Sequence, residues 1–494
     1  MTTSNHCGTQ MQAWRNELMV SHQADVGTDN EHGYHTIADL RNTLSYLMPH
    51  LDGFWRRPLK DYAWAAYDVD DRRTGCAHRD QAMSFLQKCV ERVALGSGAD
   101  PLEARQAANQ LAACPIIQSG PHCHLLIEPD AFYTHLFSLL GLGAHGLRWH
   151  ICYSASTVKF IEKPKKGPGW LHLEGEAVNV FGVPRSRMDS YNICGFNCPY
   201  RFVLSGRKKG ASANATAAKL KAILPTTGFS SAANAIKAGN QAIWEKAFPS
   251  AVRLLQLDDI DIADLVADHL EDPGSWLSGR FFDNGLFARS ILEGIDGLNA
   301  GPWSGWIRRT TDLFWGLADG KIFPLRLRDK VLSGGVGSRF AIQFAPQNIA
   351  AALRQRKIVP SLLTTFLVTS ILPGVRVLGG SRQIIYYPLM RYIVATALEK
   401  SNERDLLGAL DADIRPGLWG HRVVRPGDGF PLLEIETRGS VQDLLPDYDE
   451  QPLVQACGDL ASFTTDPIWA ELSTCIANGA IHTQSPEWRW AQLS

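Results

Sequence analysis

The stretch CPIIQSGPHCHLLIEPDAFYTHLFSLLGL, Cys114–Leu142, decides how the chain is read. CPIIQ reads as a short buried strand and SGPH as a turn. DAFYTHLFSLLGL reads as a helix stopped by Gly141 and Gly143. The run that follows, LRWHICYSASTVKF, is β-rich. Strand, glycine turn, helix, strand is the opening of an open α/β sheet, in which ligands sit at the carboxyl ends of the strands.

Upstream, residues 1–36 are polar and expected to be loosely ordered until they dock. From Thr36 to about Gly96 apolar residues recur three or four apart, a helical pattern. Asp100 and Pro101 supply a cap and a first-turn proline for the next helix. Downstream, the basic turn around Lys163, Lys165 and Lys166 reads as solvated, and GWLHLEGEAVNVFGVP as a hairpin. Residues 207–300 are largely helical, led by a basic, Gly/Ala/Ser-rich piece, RKKGASAN. Thr311–Gly335 reads as two strands around an Asp319-Gly320 turn. ILPGVRVLGGSRQIIYYPLMRYIVATALEK repeats strand, glycine turn and helix. From about Pro416 the chain is rich in Pro, Gly and acidic residues and reads as an appendage. The expected division is a helical lead over 1–110, a first core part over 111–206 and a helical insertion over 207–305. A second core part over 306–415 and a C-terminal appendage over 416–494 complete it.

The 494 residues carry 49 basic and 50 acidic side chains, a net charge of −1. That balance argues against nucleic acid or a membrane surface as partner. The 10 cysteines are sparse and irregularly spaced, which suggests reduced thiols and a cytoplasmic setting. The amino-terminal residues show no apolar targeting segment. The most apolar run, Ile358–Gly380, is interrupted by Pro360, Pro373 and Arg376, and reads as a buried helix followed by a buried strand.

Three places draw attention as sites. His122 and His124 are two residues apart, so an extended backbone puts both on one side; His150 and Cys152 repeat the spacing. Cys194 and Cys198 add thiols, yet no pair has a specific metal spacing. Cys123 between two histidines is a candidate nucleophile, with a structural thiol as the commoner case. Gly120-Pro121-His122 lies where a strand hands over to a helix, with Glu128 nearby, and helix N-termini favour anions. Gly379-Gly380 is followed by Ser381, Arg382 and Gln383, where Arg could fork onto a carboxylate or phosphate. Ser333–Arg339 is a third glycine-rich loop. The chain has no P-loop, no dinucleotide fingerprint and no GxSxG.

The order of these features resembles the bacillithiol synthase family of cysteine-adding ligases. The late segment matches that family's pattern at Leu372-Pro373, Val377, Gly379-Gly380, Ile384 and Tyr386. The early segment matches at Gly120, Leu125, Pro129 and Tyr133-Thr134, and the likeness covers roughly residues 55–400. The family's Gly-Gln-Gln turn is Gly120-Pro121-His122 here, and its Gly-Gly-Pro-Gly-Glu turn is Gly379–Gln383. Its acidic, His-bearing strand end is replaced by CYSASTVKF, and its C-terminal coiled coil has no clear counterpart. The resemblance implies a Rossmann-like core with a helical insertion, and only the site position is carried over, not the family's substrate.

The expectation is therefore an α/β protein with a Rossmann-like open parallel sheet, acting as a biosynthetic ligase or transferase. It would join an amino acid or similar small carboxylate to an amine or other nucleophile. His122 and His124 are the expected acid/base residues. Gly120, Ser154, Gly379, Gly380, Arg382 and Gln383 are the expected substrate contacts. The cofactor is open: ATP with Mg is one candidate, and zinc belongs only to an alternative reading as a metal-dependent hydrolase or lyase using His122, His124 and His150. A second alternative is a non-catalytic subunit, and a homodimer or a biosynthetic partner protein is compatible with either.

Overall fold

The computed structural model describes residues 37–69, 75–162, 166–196, 199–206, 215–282, 285–335, 339–427 and 429–491. The polar lead, Lys163 and Lys165, the RKKGASAN piece, Cys198 and the centre of the Ser333–Arg339 loop lie outside the described residues.

Five strands form an all-parallel sheet: β1 (Ile116–Gln118), β2 (Trp149–Tyr153), β3 (Arg253–Leu257), β4 (Arg376–Gly379) and β5 (Gly417–Trp419). Their spatial order is β5-β4-β1-β2-β3. The chain builds outward from β1 through β2 to β3, then returns to the other side of β1 to lay down β4 and β5. The direction of winding therefore reverses between β1 and β4. Registers pair Ile117 with Val377, Gln118 with Cys152, Ile151 with Leu255 and Leu378 with Leu418. Every residue of β1, β2 and β4 is buried, as expected for a parallel sheet covered by helices on both faces.

The helices that matter for the site follow from local chemistry. α1 (Pro101–Ala113) starts in a capping box: Asp100 accepts from the amides of Leu102 and Glu103, and Glu103 accepts from the Asp100 amide. α2 (Pro129–Ala144) is capped by Glu128 and has its proline in the first turn. α3 (Asp259–Glu271) follows β3 and is capped by Asp258. α4 (Gln383–Lys400) follows β4 and packs against β5. The expected hairpins form, Trp170–Leu173 with Glu176–Asn179 and Phe314–Ala318 with Lys321–Pro324. The second turns at Asp319-Gly320, where both residues have positive φ, the backbone of a tight two-residue hairpin turn.

Two regional readings need correction. The 207–305 segment is not only helical, because its RLLQL forms β3, an edge of the main sheet. The 416–494 segment is not a mere appendage, because it opens with β5, the opposite edge. From Ile37 onward the chain forms one compact unit. Ile358–Gly380 begins with a short strand, Ile358–Pro360, paired with Phe314–Gly316, before its helix and β4. Among the described residues no helix is long and apolar enough to cross a membrane.

The helix of the opening stretch does not stop at its glycines; it runs to Ala144. Gly141 is there for packing, since a Cβ at that position would lie 2.1 Å from the Tyr67 ring, whereas one at Gly143 would meet nothing within 4 Å. Gly141→Ala should therefore cost about 1–3 kcal/mol by overpacking. Gly143→Ala should gain up to about 1 kcal/mol from helix propensity. Urea unfolding of the two variants measures the contrast, and equal effects would refute the packing role.

Candidate functional site

The carboxyl ends of β1, β4 and β5 converge. After β1, Ser119 donates from its amide and its hydroxyl to the Leu378 carbonyl, at 2.8 and 3.0 Å. Gln383, at the start of α4, donates to Ser119 Oγ at 2.6 Å. After β5, the amides of Gly420 and His421 both donate to the Gly379 carbonyl, at 2.9 and 3.0 Å. These bonds bring the Gly120 and Gly380 turns against one imidazole. A Cβ on Gly120 would lie 2.9 Å from His421 Cγ, and one on Gly380 would lie 3.0 Å from His421 Cδ2. His421 thus stands in the crevice where the strand order reverses, the usual ligand position of such sheets.

Its protonation follows from Thr134 on α2. Thr134 Oγ1 lies 2.7 Å from the Asp130 carbonyl and 2.7 Å from His421 Nδ1, and it accepts from the Arg422 amide at 3.1 Å. A carbonyl only accepts, so the single hydroxyl proton goes to Asp130 and His421 Nδ1 carries a hydrogen toward Thr134. The lone pair is then on Nε2, which has no hydrogen-bond partner among the described residues. Burial, with the charge of Arg422 second, lowers the His421 pKa to about 3, so the ring is neutral at physiological pH.

A second cluster lies on the loop between β1 and α2. Glu162 Oε1 is 2.9 Å from His122 Nδ1 and 3.5 Å from His124 Nε2. Burial works against the charge of Glu162. Hydrogen bonds and charges from His122 and His124 outweigh it and hold this carboxyl far below the usual range. Burial likewise opposes the charge of His124, yet the bond to Glu162 and the carboxylates of Glu128 and Glu162 raise its pKa. Glu128 is pushed up by burial, against the pull of His124. Beside this cluster a cleft of about 250 Å³ is lined by residues of the α2 start, of the Trp170–Leu173 strand and by Lys166 and Phe430.

The remaining expected residues are placed differently. Arg382 is forked onto Asp466, with Nη2 2.8 Å from Oδ1, so its charge is met inside the chain. Gly379 is pressed against its neighbour Gln383, to which a Cβ would come within 2.0 Å. Ser154 is buried, its amide donating to the Leu257 carbonyl. Just beyond it, the amides of Ser156 and Thr157 donate to the buried carboxylate of Asp259, so the β2 end is closed by α3. The α2 N-terminus is also occupied, because Glu128 accepts from the Ala131 amide.

His150 does not join His122 and His124. Its Nε2 lies 2.8 Å from His135 Nδ1, it stacks on Trp244, and burial drives its pKa well down. Among the described residues no group of three or more His, Cys, Asp or Glu is arranged to hold a metal ion. Cys123 is fully buried, and burial, with Asp258 second, pushes its thiol well above the ordinary value, so it is no ready nucleophile. Cys152 and Cys194 are buried free thiols.

Sequence reasoning passed over His421, whose only signal is a Gly-His pair directly after a short apolar run, LWGH. No family model matches the chain, and no curated protein matches it.

Glu162→Gln removes the bonded carboxylate from His124 and leaves burial opposed chiefly by the charge of Glu128. The His124 pKa should then fall, read from the imidazole proton shifts in an NMR titration. The signs fix where the cluster stabilises the fold. The Glu162 contribution is full above its ordinary 4.5 and is lost as pH falls, while that of His124 is full below 6.5 and is lost as pH rises through its raised value. Its stabilising effect should therefore peak between those values, and wild type minus Glu162→Gln stability across pH measures it.

Proposed function

We propose that the chain is an enzyme with a Rossmann-like core that joins a small carboxylate, such as an amino acid, to an amine. The observation that carries the reading is the neutral His421, wedged between Gly120 and Gly380 where the sheet reverses direction. The order β3-β2-β1-β4-β5 is that of the dinucleotide-binding α/β folds, whose ligands occupy this crevice. The reaction class comes from the resemblance to bacillithiol synthase, whose matching turns hold Gly120 and Gly379-Gly380.

The chemistry asks for the equipment on hand. As a C–N bond forms, the attacking amine must lose a proton, and the Nε2 lone pair of His421 can accept it once the negative charge of the bound carboxylate offsets the burial that weakens the ring as a base. The Nδ1–H bond to Thr134 fixes ring and tautomer, the role a positioning partner plays for any catalytic imidazole. His124, whose charged form Glu162 favours, can donate a hydrogen bond to the oxygen that gathers negative charge, and His122 flanks it from the exposed side. The carboxylate must lose one oxygen as the C–N bond forms; with Mg-ATP as the proposed energy source, the carboxylate would first be activated on a phosphorus of ATP and that oxygen would leave with the phosphate.

Thermal-shift measurements with the amino acids, cysteine first, with and without Mg-ATP, test the reading. A true substrate at a hundred times its dissociation constant stabilises by about 2.7 kcal/mol. With that substrate in hand, His421→Gln should lower kcat by roughly 10²–10⁴, and His124→Ala should also be impaired. No stabilisation by any amino acid under either condition, or full activity in both variants, would sink the proposal.

A further inference from the structure

The cleft beside the histidine cluster is lined by two carboxylates and one lysine. Glu128, Asp130, Lys166, Trp170 and Phe430 line it, and its volume of about 250 Å³ suits a small molecule. Pockets for drug-sized ligands measure roughly 300–1,000 Å³. Asp130 is already held by two cations: Lys166 Nζ is 3.2 Å from Oδ2 and Arg422 Nε is 3.1 Å from Oδ1. Lys166 is thereby used as well. Glu128 accepts only the Ala131 amide, at 3.2 Å, and among the described residues no cationic side chain forms an ion pair with it. The charge of His124 acts on Glu128 through space and offsets its burial only in part, so a carboxylate withdrawn from water with no ion pair of its own attracts a further cation. Trp170 and Phe430 bring the aromatic rings to which ammonium groups are drawn.

We infer that this cleft binds a small organic cation carrying an ammonium group, with Glu128 as counter-charge and Trp170 and Phe430 as walls. The binding stands on the cleft alone; that the cation is the amine substrate rests on the function proposed above. Because burial raises the Glu128 pKa, affinity increases with pH as that carboxyl ionises.

Calorimetric titration of the full chain at pH 8 tests this with ethanolamine, choline and uncharged ethylene glycol. At least one of the two cations saturates a single site, and ethylene glycol gives no binding. Glu128→Gln, which keeps an oxygen to cap Ala131, weakens cation binding about tenfold or more. Trp170→Leu weakens it about threefold or more and serves independently if the first variant folds poorly. Equal binding of ethylene glycol, unchanged affinity in the folded variants, or no binding of either cation overturns the inference. Cation binding without any amino-acid stabilisation would leave the cleft standing and remove the ligase reading; the reverse pattern would do the opposite.

Discussion

The carbonyl of Gly379 accepts two hydrogen bonds, from the amides of Gly420 and His421, and the geometry of the crevice depends on that fork. It ties the end of β5 to the end of β4 and turns the chain back over the sheet edge. The imidazole of His421 is delivered to the gap between the β1 and β4 turns as a consequence. The gap exists only because both turns are glycine there. Close approach to a ring, rather than an unusual φ, is what excludes a side chain at Gly120 and Gly380. The same fork sets the next residue: Arg422 donates its amide to Thr134 and its guanidinium to Asp130, so β5, α2 and the cleft share one set of bonds.

The opposite end of the sheet is fixed by a different device. Arg376 begins β4 and is buried, donating to the carbonyls of Ala66, Asp68, Ile414 and Arg415. A guanidinium can satisfy that many acceptors without a carboxylate, at the cost that burial pulls its pKa down to about 10. Nearby, Asp413 lies between the buried Arg79 and Arg391 and joins the Ala77–Gly96 helix to α4. One end of the sheet is thus pinned by charged groups matched within the chain. The other is held by backbone bonds together with the Arg382–Asp466 and Arg422–Asp130 ion pairs, and among the described residues its His421 Nε2 has no partner. That asymmetry is the usual division between a stabilising end and a working end in parallel sheets.

Much of this was legible where local chemistry acts over a few residues. The Asp100 cap, the Asp319-Gly320 turn, β1 with its helix and β4 with its glycine pair all follow from adjacent residues. The edges were not legible. β3 is five residues between helices and β5 is three, so neither shows a period long enough to separate it from its surroundings. His150 misled for a physical reason: in a strand buried on both faces, a histidine spaced like a ligand is met by core partners, here His135 and Trp244. His421 stayed hidden because its meaning lies in Gly120, Gly380 and Thr134, about three hundred residues away or some forty before it, and no local pattern carries that.

The charges of the site explain why the anion-binding expectation and the observed geometry diverge. Arg382, whose place after the glycine pair suits a carboxylate or phosphate, forks instead onto Asp466 of the C-terminal region. Arg422 and Lys166 share Asp130. The backbone donors follow suit: the amides after β2 belong to Asp259, and the first turn of α2 belongs to Glu128. The carboxylate of the proposed reaction would therefore exchange one of these bonds for its own rather than meet an unengaged cation. At Glu128 a cation would displace no ion pair found among the described residues, although the charge of His124 already acts on that carboxylate. The electrostatic preference of the site is therefore set less by the number of basic residues around it than by which charges the fold has already spent on itself, and the remaining charge is negative.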